Sequence, residues 1–171
     1  MTAGSMAAAA PQAGETGGRV NLHATAVVAG AAGILILGPS GAGKSSLALA
    51  LIGLFRARGR FAALVADDRV WVAAAGGRLV AEVPEPIAGL VEIRGFGPAP
   101  AAHERRAVLD RAVRLVPREA APRVAVEDAV ETVLGLALPR LDLAEGDAAG
   151  AARALAAWLA PRAASPGGRL F

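Results

Sequence analysis

The sequence predicts an α/β domain in which a central mixed β-sheet is flanked by helices and carries a phosphate-binding loop. Three observations predict it. The run ILIL at 34–37 is continuously apolar, as a strand buried on both faces and paired in parallel must be. It leads directly into GPSGAGKSS at 38–46, which matches G-x-x-x-x-G-K-[ST] from Gly38 to Ser45. The segment SLALALIGLFRARG at 46–59 is long enough for about three turns of helix and is closed by Arg56, Arg58 and Gly59. Strand, glycine loop and helix in that order are what a phosphate cradle requires.

Each residue type in the loop has a physical reason. Gly38, Gly41 and Gly43 let the backbone take positive φ and bring its N–H groups close to phosphate oxygens, with Pro39, Ser40, Ala42 and Ser46 completing the run. The following helix aims unpaired N–H groups and a partial positive charge at the same anion. Lys44 is the only lysine of the chain; the other 17 of its 18 lysine-plus-arginine residues are arginine. A compact ammonium on a flexible stem can follow the β- and γ-phosphates, whereas arginine's planar fork suits fixed bidentate partners. The Ser45 hydroxyl suits Mg²⁺.

The remaining elements follow in order. Residues 1–18 read as a flexible tail, 19–164 as one domain and 165–171 as a second tail. RVNLHATAVVA at 19–29 reads as a strand, with His23 near its start, and FAALVADD at 61–68 as another that ends in two aspartates. Residues 69–84 suggest two short strands joined at Ala75-Gly76-Gly77. Residues 86–100 open with a short helix or loop, pass through VEIRGFG and turn proline-rich. Apolar residues at 107, 108, 109, 112, 113, 115 and 116 leave 103–117 open between helix and strand. Further strands are expected within 123–143 and a terminal helix over 148–164.

Composition removes several classes of function. The chain has no cysteine, which excludes disulfides, thiolate nucleophiles and cysteine-ligated zinc and is consistent with a cytoplasmic setting. No apolar run reaches the length needed to span a bilayer, and the N-terminus lacks the basic start of a secretion signal. A net charge of +3, scattered basic residues and few aromatics argue against a nucleic-acid partner. The N-K-x-D element of guanine recognition needs a second lysine, so ATP is expected rather than GTP.

Asp67 and Asp68 stand at the mouth of an apolar strand, where two carboxylates are costly unless a cation or proton compensates them. Adjacent strand residues point to opposite faces, so one is expected at the Mg²⁺ and the other at an acceptor hydroxyl. The alternative is that one of them merely caps the next turn.

HATAVVAGAAGILILGPSGAGKSSLALALI, followed by LVADDRV and VEIRGFG, resembles the catalytic domain of bacterial HPr kinase/phosphorylase. That family has a histidine at a strand start, then G-x-S-G-x-G-K-S, A-D-D-x-V and E-[IV]-R-G-[LF]-G. The resemblance covers about residues 19 to 100 and implies a P-loop kinase domain, in a short form without the family's N-terminal domain. It implies ATP and Mg²⁺ as cofactors and an HPr-like phosphocarrier protein as substrate. Regulation of carbohydrate metabolism and a hexameric habit come with it as expectations.

Carried over by residue, Gly38 to Ser45 bind the phosphates, and Ser45, Asp67 and Glu92 hold the metal. Asp68 is the base toward a seryl hydroxyl and the acid in the reverse reaction. Arg94 belongs to the same catalytic segment, and His23 matches the family's active-site histidine; taken alone it reads as a strand-end histidine. Arg123, in APRVAVED, is the candidate for the distal active-site arginine, with a solvated loop arginine as the alternative. Ser46 stands where many members have glutamate. Two other functions stay open: a small-molecule kinase using 104–118 as an arginine-rich lid, and a nucleotide-sensing module with little turnover.

Overall fold

The computed structural model describes residues 14–16 and 18–160. The elements in chain order are β1 (Gly14–Thr16), β2 (Arg19–Leu22), β3 (Thr25–Ala29), β4 (Ala32–Leu37), α1 (Lys44–Ala57), β5 (Ala62–Ala66), β6 (Val70–Ala75), β7 (Arg78–Glu82), β8 (Leu90–Ile93), β9 (Gly97–Pro100), β10 (Arg106–Leu109), β11 (Arg111–Val116), β12 (Val130–Val133), β13 (Leu136–Ala144) and α2 (Ala148–Leu159). A six-stranded mixed sheet has the order β12-β13-β11-β4-β3-β5, and a five-stranded antiparallel sheet the order β1-β2-β6-β7-β10. Strands β8 and β9 form a separate hairpin.

The mixed sheet is the middle layer. Ile34 and Ile36 of β4 pack with Leu47, Leu51 and Phe55 of α1 and Leu155 of α2. Leu35 and Leu37 point the other way and pack with Val70, Val72 and Leu79 of the five-stranded sheet. Both faces of β4 are therefore buried, which is why its sequence is apolar without alternation. The expected parallel pairing is made with β11, while β3 on the other side runs antiparallel. Among the described residues helices flank one face only, because the second sheet covers the other.

Two stretches cross between the sheets. The single strand expected over 19–29 breaks at His23 and Ala24: β2 pairs with β6 in the outer sheet, and β3 pairs with β4 in the central one. The ambiguous stretch 103–117 holds two strands and no helix, divided at Asp110 into β10, which pairs with β7, and β11, which pairs with β4. Because β11 lies inside the central sheet, 104–118 cannot act as the arginine-rich lid. Asp110 fastens its crossing: its Oδ2 accepts the Gly33 N–H at 2.9 Å and its own N–H donates to the Gly33 carbonyl at 2.8 Å.

A Cβ on Gly33 would lie 1.9 Å from the Val108 carbonyl oxygen, so the strands approach closely only with glycine here. Gly33→Ala is expected to destabilise the domain by about 3 kcal/mol, the upper end of overpacking costs, read as a lower denaturant midpoint.

The helix α1 starts at Lys44, two residues before the expected 46, because it grows directly from the glycine loop. Its apolar residues Leu47, Leu51 and Phe55 recur at helical spacing and face the core. At its end Gly59 takes φ +66, and the Arg56 guanidinium donates to the Ala62 carbonyl at 2.8 and 3.0 Å, tying helix to β5. Strand β1 pairs with β2 inside the segment expected as a tail, while 1–13 and 161–171 lie outside the described residues. No helix among the described residues is long and apolar enough to cross a membrane.

Candidate active site

Strands β4, β5, β11 and β13 all run in one direction, so their C-terminal ends meet at one edge of the central sheet, beside the start of β3. Ligands of open α/β sheets bind outside such an edge. A cleft of about 520 Å³ lies there, lined by the glycine loop, His23, Asp67, Asp68, Glu92 and Arg94, together with Leu115 and Ala144 from the ends of β11 and β13.

The loop has the backbone its glycines allow, with Gly41 at φ +80 and Gly43 at φ +96. Lys44 is 6 % exposed, and its Nζ donates to the carbonyls of Gly38 at 3.1 Å and Pro39 at 3.0 Å. The ammonium is thus held over the loop by its own backbone. Burial pulls its pKa below the ordinary 10.5, and the carboxylates of Asp68 and Asp67 act in the opposite direction.

A β-bulge aims Asp67. Ala26 of β3 lies opposite Ala66, but Val27 lies opposite Leu64, so Val65 is an extra residue on β5. Val65 and Ala66 in consequence both pack on the face toward the outer sheet, whereas Leu64 packs toward the helices. Strict alternation would have turned Asp67 away from α1; the bulge turns it toward the loop. There it is 5 % exposed, and its Oδ1 accepts hydrogen bonds from Ser45 Oγ at 2.8 Å and Thr25 Oγ1 at 2.7 Å. Its Oδ2 accepts the Glu92 N–H at 3.1 Å.

Asp68 lines the same cleft but is placed differently, and not by the pleat that the sequence suggested. Strand β5 has already ended, and the Arg69 N–H donates to the Asp67 carbonyl at 2.7 Å, closing a three-residue turn centred on Asp68 at φ +63. Such positive-φ γ-turns are strained and concentrate at functional positions. The Asp68 side chain is 62 % exposed and lies 3.1 Å from His23 Nε2. His23 reaches it because the chain crosses between sheets at that residue.

The hairpin of β8 and β9 brings the remaining expected residues. Glu92 and Arg94 line the cleft, and the Arg94 guanidinium stands 3.8 Å from where a Cβ of Gly41 would lie. Ser40, Ala42 and Ser46 line it as part of the loop. Arg123 is not brought to the cleft: it sits exposed in the connection between β11 and β12 and is absent from the lining. Sequence reasoning missed Thr25, whose only signal is a polar residue at a buried strand start. It also missed Asp147, on the cleft wall, where its Oδ1 caps α2 by accepting the Gly150 N–H at 2.8 Å.

The arrangement combines an anion cradle, a buried carboxylate beside a hydroxyl and a second carboxylate open to solvent. Hard cations take such oxygen donors, so Ser45 and Asp67 fit Mg²⁺, and Glu92 is the further carboxylate on the same cleft lining. At 2.8 Å the Ser45 hydroxyl donates its hydrogen bond to Asp67 Oδ1, which leaves the serine lone pairs for the cation.

Known proteins resemble this chain in sequence and in fold. The family model described as HPr Serine kinase C-terminal domain matches residues 15–100. The HPr kinase/phosphorylase of Caldicellulosiruptor bescii is 45 % identical over 80 residues, which is 46 % of this chain and 24 % of that protein. That of Limosilactobacillus reuteri is 44 % identical over 80 residues, 46 % of this chain and 23 % of that protein. The matched stretch is thus about a quarter of the length of these curated relatives. The structure of the Hpr(Ser) kinase/phosphatase from Coxiella burnetii superposes with a TM-score of 0.66 at 25 % identity, covering 80 % of this chain and 93 % of that one.

Proposed function

The chain belongs to the HPr serine kinase C-terminal domain family, and on that footing we propose that it is a Mg-ATP-dependent serine kinase acting on an HPr-like phosphocarrier protein. The observation that carries the reading is the placement of Asp68. Its carboxylate is exposed on the rim of the cleft, with His23 at 3.1 Å, while its neighbour Asp67 is buried against the phosphate loop. One carboxylate is thus available to an incoming hydroxyl, and the other is committed to the nucleotide side.

Each residue then has a task. The loop N–H groups and Lys44 hold the β- and γ-phosphates of ATP. Ser45, Asp67 and Glu92 would hold Mg²⁺, which neutralises charge on the β- and γ-oxygens when bound. The seryl oxygen attacks the γ-phosphorus in line as the bond to the β–γ bridging oxygen breaks; Asp68 takes the seryl proton and ADP departs. His23 keeps the Asp68 carboxylate oriented toward the rim. In the reverse direction the same carboxyl, carrying its proton, returns it to the seryl oxygen.

Incubation with γ-labelled ATP and, in parallel, an HPr-like protein, a panel of hydroxyl-bearing metabolites and no acceptor tests this reading. Label is expected on the protein. Label on a metabolite overturns it in favour of a small-molecule kinase, and binding without transfer in favour of a nucleotide sensor. Within the reading, Glu92→Gln is expected to raise the Mg²⁺ concentration needed for half-maximal transfer by about tenfold, since a carboxylate donor to a hard cation is lost. An unchanged magnesium titration assigns Glu92 to structure alone.

A further inference from the structure

We infer that Thr25 is a positioning residue of the metal–nucleotide site, its hydroxyl fixing the Asp67 carboxylate in the orientation that frees Ser45 for the cation. The inference rests on the reading of the cleft given above and extends it to a residue outside its motifs.

Thr25 is 0 % exposed, and the partner of its hydroxyl is Asp67 Oδ1 at 2.7 Å. Its neighbours Ala24 and Ala26 pack toward the outer sheet and Val27 toward the helices, so Thr25 lies on the helix-facing side of β3, where the phosphate loop sits. A buried β-strand position on that side suits valine; a hydroxyl there needs a partner, and the one present is a carboxylate. Its branched side chain is stiff at χ1, so the donor is held in place.

Asp67 Oδ1 has two donors, Thr25 Oγ1 and Ser45 Oγ. The second is the same hydroxyl whose lone pairs face the cation site. With Thr25 present, Oδ1 stays where the Ser45 hydroxyl can donate to it and turn a lone pair outward. Without the Thr25 hydroxyl, Oδ1 is held by Ser45 alone and Oδ2 by the Glu92 N–H, so Ser45 loses the fixed acceptor that keeps its lone pair turned outward.

The bond has a second effect. Thr25–Asp67 and His23–Asp68 join the same two chain segments, one inside the protein and one on its rim. The buried bond therefore adds to the β3–β5 pairing in holding the segment of His23 beside that of Asp68.

The test compares Thr25→Val, which keeps the shape and removes the donor, with Thr25→Ser, which keeps the donor and removes the methyl. Calorimetry of ADP binding with and without Mg²⁺ reads the site independently of turnover. For Thr25→Val, metal-free ADP binding is expected to match the wild type. Its metal-dependent gain is expected to fall about tenfold, the lower end of what partners of metal-ligating groups are worth. Thr25→Ser is expected to retain most of the gain. Should Thr25→Val fail to fold, Thr25→Cys makes the same comparison, its thiol being a weak donor. A full gain in the variant lacking the hydroxyl overturns the inference, and so does an equal loss in Thr25→Ser, which would assign the position to packing. Absence of any metal-dependent gain in the wild type overturns it together with the reading it rests on.

Discussion

Lys44→Ala is expected to lower phosphoryl transfer at least about 10²- to 10³-fold, the loss seen when one preorganised donor is removed from a developing charge. ATP binding is expected to weaken with it. No other lysine exists in the chain to take over the contact. Lys44→Arg is expected to rescue little. The Nζ fits between the carbonyls of Gly38 and Pro39 at 3.1 and 3.0 Å, in a pocket that leaves the residue 6 % exposed, and a planar guanidinium is too wide for it.

The same burial yields a pH signature. In the free protein the lysine pKa is lowered, chiefly by desolvation; phosphates arriving beside it raise it again. ATP binding should take up protons in the alkaline window between the lowered value and that of the complex, and none well below it, where the ammonium is already charged. Calorimetry in buffers of different ionisation enthalpy reads the uptake, which Lys44→Ala should abolish. Normal turnover by that variant removes the phosphate-loop reading altogether.

Asp68→Asn is expected to leave ATP affinity nearly unchanged while transfer falls by about 10²- to 10⁴-fold, the usual worth of general base catalysis. The substitution is unusually clean. Asparagine tolerates the φ of +63 found at this position, and the side chain is 62 % exposed, so neither backbone nor packing is disturbed. An amide oxygen can still stand beside His23, but the basic carboxylate is gone. Asp67→Asn should differ. Its carboxylate accepts from Thr25, Ser45 and the Glu92 N–H, and an amide there would turn an N–H toward at least one of those donors. Its losses are expected in nucleotide and metal binding as well as in transfer.

What the sequence made legible was whatever is written locally. The glycine loop, the strand before it and the helix after it follow from residue types at fixed spacing, and so does the hairpin of β6 and β7 around Gly76 and Gly77. The residues of the three motifs meet in one cleft because each lies at or beside the same sheet edge. What was not legible depends on partners far along the chain. At Asp110 the two strands, RAVL and RAVRLV, read alike, and at His23 the change from the alternating RVNL to TAVVA rests on only four residues. The bulge at Val65 is invisible in AALVA, where every side chain is small or apolar and every residue is buried. The γ-turn at Asp68 looks in sequence like the end of a strand. Thr25 lacks any motif, and its role appears only when β3 and β5 are paired. Arg123 was placed by resemblance alone, and the connection that carries it does not reach the cleft.

The most direct measurement is phosphoamino-acid analysis of an HPr-like protein after incubation with Mg²⁺, γ-labelled ATP and either the wild type or Asp68→Asn, with ATP binding followed by calorimetry on both. Phosphoserine is expected with the wild type and a 10²- to 10⁴-fold slower appearance with the variant, at about equal ATP affinity. Full transfer by Asp68→Asn, a loss confined to ATP binding, or no phosphoserine from the wild type would contradict a kinase that uses Asp68 as its base.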